Sequence, residues 1–203
     1  MLLTPLFNLL RKSAVIPELA PSINQSTHAP CKMYDSAKIK DILAAFQRDL
    51  SNGESPQEAL RMILDVTSAR AVGLWRYDEN ELAQLGFCAA HDMPAEVRDA
   101  FAEATRRVPL GETGLGIVKA VRTEAPALAD LDSQTTVLPT SANWLTRFEA
   151  RRSLAVPTTS QNAVNGVLAV STANDLAPDG DVWNSMCQLA SELGGCLDAD
   201  NDR

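Results

Sequence analysis

The side chains able to do covalent or metal chemistry are few: Cys31, Cys88, Cys187 and Cys196, with His28 and His91. None of the cysteines forms a C-x-x-C pair, so a structural zinc site of ordinary spacing is excluded. Cys88 and His91, separated by two alanines, are the nearest approach to a nucleophile and its base. Strand parity turns them apart and no third group is placed to orient the imidazole, so Cys88 reads as a buried structural thiol. His91 reads as a surface residue just before the Asp92-Met93-Pro94 helix start. Cys187 and Cys196 lie nine residues apart on a predicted helix, about two and a half turns, and cannot pair within it. The glycine-rich run Gly111-Glu112-Thr113-Gly114-Leu115-Gly116 has neither the G-x-G-x-x-G order nor a following Lys-Ser/Thr. It reads as a turn and a helix cap supplied by Thr113.

Recognition chemistry is better represented. Trp75, Phe87, Trp144 and Phe148 are large rings, and each tryptophan needs a partner for its N–H, which a cavity wall or an ordinary core can supply. Arg147, Arg151 and Arg152 concentrate positive charge in an otherwise acidic chain; they suit a carboxylate or phosphate, or else form a solvated basic face. Eighteen basic against 26 acidic residues give a net charge of −8, which excludes phosphate-backbone binding as a general role and with it nucleic acid as a partner. The scattered cysteines fit a reducing cytoplasm. No apolar run reaches the roughly 18–20 residues that span a bilayer, so stable membrane insertion is not expected. MLLTPLFNLLRK carries its charge after the apolar run, the reverse of a secretory signal, and reads as a loosely docked leader or a short docking peptide.

The elements that must position these groups follow from periodicity. Residues 1–35, with Pro17, Pro21 and Pro30, form a leader and linker. Ile39, Ile42, Leu43, Phe46 and Leu50 share one helical face, which opens a single domain over 36–198. Asn52-Gly53 ends that helix, and Ser55-Pro56-Gln57-Glu58 starts another with capping-box spacing. AVGLWRY (71–77) and residues 82–89 make a hairpin; a helix after Pro94 carries Val97, Ala100, Phe101 and Ala104; the next carries Ile117, Val118 and Val121. A short strand is expected at 125–128, an irregular polar stretch at 130–141 and a short helix or turn at 143–149. RRSLAVPTTSQNAVNGVLAVST (151–172) is then an antiparallel hairpin turning at Ser160, Gln161 and Asn162. Its second strand is apolar on both faces and so demands cover on both. Pro157 must lie at an edge, a bulge or a strand end. Pro178-Asp179-Gly180-Asp181 caps a final helix whose turns weaken at Gly194-Gly195, ahead of an acidic tail at 199–203.

In order and spacing, AVGLWRYD, LAQLGFCA, PLGETGLGIVKAVRTEAPALADL, RRSLAVP and NGVLAVST with the terminal amphipathic helix resemble a GAF domain, a relative of PAS domains. The Val156-Pro157 pair and the Gly166-Val167-Leu168 run are the most family-like, and the resemblance covers about Ser55 to Leu197. It implies an α+β fold with an antiparallel sheet of about six strands, N- and C-terminal helices on one face, and pocket-forming helices and loops on the other. The hairpin is then the pocket floor, and Trp75, Phe87, Thr113, Trp144, Arg147, Phe148 and Arg152 become the ligand-binding candidates. The resemblance further implies a cytoplasmic sensory module that binds a small ligand, signals to partner proteins and forms a homodimer through its terminal helices, without catalysis of its own. A ligand-free dimerisation scaffold and a relative of free-methionine-sulfoxide reductases are the alternatives. No cofactor is assigned, since no Cys-His dipeptide exists for a bilin.

Overall fold

The structure, a computed structural model, describes residues 36–133, 138–174 and 176–201. The leader and linker, with His28 and Cys31, lie outside the described residues, as do 134–137 of the polar stretch and the end of the acidic tail. The chain runs α1 (Ser36–Ser51), α2 (Gln57–Thr67), β1 (Ala71–Asp78), β2 (Glu81–Ala89), α3 (Ala95–Ala104), β3 (Arg107–Pro109), α4 (Gly116–Thr123), β4 (Ala127–Asp130), α5 (Pro139–Arg147), β5 (Arg152–Ser160), β6 (Ala163–Thr172) and α6 (Asp181–Asn201). The six strands form one sheet in the order β3-β2-β1-β6-β5-β4, and every pairing is antiparallel. No helix among the described residues is long and apolar enough to cross a membrane.

Period-two alternation divides the sheet between two cores. Val72, Leu74, Cys88, Leu154, Val156, Leu168 and Val170 face α1, α2 and α6. Trp75, Leu82, Ala89, Ala155, Val167 and Ala169 face Phe101 of α3, Val118 and Val121 of α4 and Leu145 of α5. The central strands β1 and β6 are therefore buried on both sides, which is why their sequences read as nearly unbroken apolar runs. The β5–β6 turn places Gln161 and Asn162 at φ of 50° and 65°, the twist that matches a two-residue hairpin. β4 pairs with β5 only from Arg152 to Ala155, so Pro157 lies where the outer edge of β5 has no strand beside it, next to an irregularity at Thr158/Thr159.

Several local expectations change in the folded chain. Ser55 does not cap α2; Pro56 occupies that position and the Ser55 hydroxyl donates to the Leu85 carbonyl at 2.9 Å. The last three residues of the polar stretch belong to α5, which opens on Pro139. β3 has no strand pattern of its own: its three residues end in proline, and they are extended because they pair with Glu81–Ala83. Gly194-Gly195 do not interrupt α6, which continues to Asn201. A Cβ on Gly194 would stand 2.0 Å from the Thr159 carbonyl oxygen, so this glycine exists for the close approach of α6 to β5. Asn165 completes the contact, donating from Nδ2 to the Gly194 carbonyl at 2.8 Å and to Asp198 Oδ1 at 2.7 Å.

Candidate functional site

Trp75 and Phe87 both lie on the α3–α5 side of the sheet, Phe87 because a register shift at Leu74/Trp75 pairs it with Gly73, and there they meet Trp144 and Phe148 from the end of α5. Gly73 lies two residues before Trp75 on the same face, and a Cβ there would stand 2.3 Å from the indole; the ring folds back over a glycine because only glycine leaves it room. The Trp75 N–H donates to the Thr105 carbonyl at 2.8 Å, so this indole is 2% exposed and still satisfied. Phe101, on α3, stands at the centre of the rings: its centroid lies 4.7 Å from Phe87, 4.9 Å from Phe148, 5.0 Å from Trp144 and 6.3 Å from Trp75. The contacts with Trp75, Trp144 and Phe148 are edge-on, the arrangement the ring quadrupoles favour, at roughly 0.5–1.5 kcal/mol a pair beyond area burial.

These rings line a half-open cavity of about 40 Å³ over a floor of small residues, Ala71, Gly73, Ala169, Ser153 and Ser171. The volume holds about three waters at roughly 10–15 Å³ each, against the roughly 300 Å³ and more of an open ligand pocket. Its polar atoms are hydroxyls already in use: Ser171 donates to Ser153 at 3.1 Å, and Ser141 accepts the Gly116 N–H at 2.9 Å. No charged side chain lines it. α5 closes the top as a lid. Its first turn is tied to the 111–116 loop through Thr140–Glu112 at 3.1 Å and the Ser141 amide to the Gly114 carbonyl at 3.1 Å. At its far end Arg70 Nε donates to the Phe148 carbonyl at 2.9 Å. Arg70 is itself held by both carboxylate oxygens of Asp92, at 2.7 and 2.9 Å.

The structure thus brings together Trp75, Phe87, Trp144 and Phe148, and adds Phe101, Leu115, Ile117 and the three serines. Phe101 was visible as the one ring of its helix, but nothing in local spacing turns it toward the others. The polar candidates lie elsewhere. Thr113 is exposed, does not cap α4, where Leu115 holds the cap position, and is not among the cavity residues. Arg147 is exposed, with its guanidinium 4.3 Å from the centre of the Trp144 ring. Arg152 Nε donates to Asp130 Oδ2 at 2.9 Å, and Arg151 pairs with Asp132 at 2.5 Å. Burial alone would raise the Asp130 carboxyl; the Asp132 amide and then Arg152 outweigh it and hold it below the usual carboxylate range. Arg151 and Arg152 thus answer Asp132, in the turn after β4, and Asp130, the last residue of β4.

The thiols among the described residues lie across the sheet from the cavity. Cys88, Cys187 and Cys196 all pack with the core against α1, α2 and α6, and burial pushes each thiol up from its ordinary value. His91 is exposed beyond the end of β2, and no cluster of potential metal ligands occurs among the described residues.

A family model described as the GAF domain matches residues 56–194. Among solved structures, the GAF domain/HD domain protein from Geobacter sulfurreducens is similar over 82% of this chain and 98% of its own, at 17% identity and a TM-score of 0.55. The GAF domain of an Acinetobacter phosphoenolpyruvate-protein phosphotransferase is similar over 82% and 94%, at 13% identity and a TM-score of 0.58. The free methionine-R-sulfoxide reductase from Neisseria meningitidis is similar over 81% and 90%, at 16% identity and a TM-score of 0.54. At these identities the likeness is one of fold. No curated protein sequence matches the chain.

Proposed function

The chain belongs to the GAF domain family, and from that premise we propose that it is a sensory or regulatory module whose ligand site is the ring-walled cavity beneath α5. A small molecule entering there displaces α5, and the change passes through β5 and β6 to α6 on the opposite face. In this reading the module works in the cytoplasm, pairs through α1 and α6 and acts on a protein partner. The observation that carries it is the cavity, walled by rings on one face of a sheet whose other face holds both terminal helices. A non-catalytic role is supported by the position of Cys88, Cys187 and Cys196 across the sheet from the cavity.

The test is a thermal-shift and native mass-spectrometry screen of the purified chain against a broad small-molecule set. A ligand at a hundred times its Kd stabilises by about 2.7 kcal/mol, which at roughly 2–4 °C per kcal/mol raises the midpoint by about 5–11 °C. A screen without a single saturable binder removes the reading. It would favour the other one the filled cavity suits, a ligand-free dimerisation scaffold, which gel filtration over a range of concentrations then examines. Turnover of free methionine sulfoxide that is lost in Cys88→Ser would instead make the chain an enzyme.

A further inference from the structure

We propose that the ligand is an uncharged, flat aromatic molecule of one or two fused rings, and that the Trp144 indole occupies its place when it is absent. This rests on the cavity being the ligand site. The cavity residues comprise rings, aliphatic side chains, glycines and hydroxyls, with no cation or carboxylate among them. A buried charge without a partner costs several kcal/mol, so an anionic ligand would enter at a loss. The nearby cations do not offset that loss: Arg151 and Arg152 answer Asp132 and Asp130, and Arg147 lies over the Trp144 ring in the exposed part of the lid. The Gly116 amide at the start of α4 is bonded to Ser141. What the walls offer is flat π surface, and what the floor offers is the Ser153–Ser171 hydroxyl pair, able to exchange its mutual bond for one to a ligand O–H or N–H.

Size identifies the ring that must leave. An apolar cavity of about 150 Å³ takes benzene, and only about 40 Å³ is free. Trp75 is pinned by its bond to Thr105, and Phe148 is 2% exposed with its carbonyl bonded to Arg70. Trp144 is only partly buried and lies on α5, so rotating it outward with Arg147 vacates a volume shaped like an indole.

The experiment titrates the full chain by calorimetry with indole and phenol, with their charged counterparts indole-3-acetate and benzoate, and with cyclic GMP, while NMR follows the Trp144 indole N–H. The expected result is saturable one-to-one binding of indole or phenol, charged counterparts at least tenfold weaker, and a Trp144 N–H signal that moves to a solvent-like position. Binding of indole tightens tenfold or more in Trp144→Ala, or in Trp144→Leu should the alanine variant not fold, because the internal competitor is gone. Charged members binding as well as the neutral ones would overturn the ligand class and leave the ligand site standing. Binding seen only in the Trp144 variants would overturn the displacement of Trp144, and binding in neither form would remove the site itself.

Discussion

Replacing Gly194 by alanine, with Gly195→Ala as its neighbour control, tests whether α6 is seated on the β5–β6 hairpin as closely as the structure places it. Alanine is ordinarily the better helix residue by about 1 kcal/mol, and both glycines lie inside α6. At Gly195 no heavy atom lies within 4 Å of the added carbon, so the propensity gain stands alone: about 1 kcal/mol, or roughly 2–4 °C in midpoint. At Gly194 the carbon would meet Thr159 backbone at 2.0 Å from O, 2.5 Å from C and 2.9 Å from N, against the 3.4 Å at which ordinary contact begins. Backbone cannot rotate away as a side chain can. Overpacking of this kind costs about 1–3 kcal/mol, and lifting the helix stretches the Asn165–Gly194 bond of 2.8 Å, worth about 1 kcal/mol more. Set against the propensity gain, Gly194→Ala loses about 1–3 kcal/mol, or roughly 2–12 °C. Urea and thermal melts of both variants, checked for an unchanged denaturant slope, read the answer. The reasoning is refuted if the two substitutions move stability in the same direction.

Three further outcomes follow from the same contacts. Gly73→Ala pushes the Trp75 indole off the floor and lowers stability by about 1–3 kcal/mol; tryptophan fluorescence should change with it, and an unchanged spectrum with unchanged stability would contradict the close packing of that ring. Arg70→Ala removes the bond to the Phe148 carbonyl, so amide exchange in 139–148 should accelerate at least tenfold while β5 and β6 keep their protection; equal acceleration in the sheet would mean Arg70 supports the whole fold rather than the lid. The Asp198 carboxyl is held below the ordinary carboxylate range by hydrogen bonds from Ser160 and then Asn165, against a smaller opposing effect of burial. A group lowered in this way contributes stability above its unfolded pKa, about 3.9, and loses it as pH falls through the folded value. Asp198→Asn should therefore be less stable than the parent at pH 7, with the gap closing below about pH 4; a gap independent of pH would remove the charge from the explanation.

Much of the architecture is visible in local pattern, and the reason is periodicity. The apolar stripe Ile39, Ile42, Phe46, Leu50 can face a core only as a helix, and the two-sided apolar run of Val164–Ser171 can be buried only as a strand between two layers. Thus the α1 face, both hairpins and the amphipathic α6 are present in the order of residues before any contact is considered. β3 and the start of α5 are not, because Arg107–Pro109 is extended only by virtue of pairing with β2, and Pro139 follows a stretch without period.

The site divides along the same line. Parity within β2 suffices to put Phe87 and Cys88 on opposite faces, since a strand turns successive side chains to opposite sides, but Phe87 shares a face with Trp75 only because the irregularity at Leu74/Trp75 pairs Phe87 with Gly73. Which rings then close on one another, Phe101 at their centre and Trp144 from the lid, is decided by how α3 and α5 cross the sheet, a long-range outcome that no spacing encodes. The arginines show the same limit for charge. A cluster of cations in sequence does not show which carboxylates answer it, and here the β4–β5 pairing brings Asp130 opposite Arg152. Sequence determined the sheet, its two covered faces and the aromatic stock of the cavity. Tertiary structure decided that the cavity is small, uncharged and walled by these particular rings, because volume and charge balance are set by which neighbours meet across the chain and not by which residues follow one another along it.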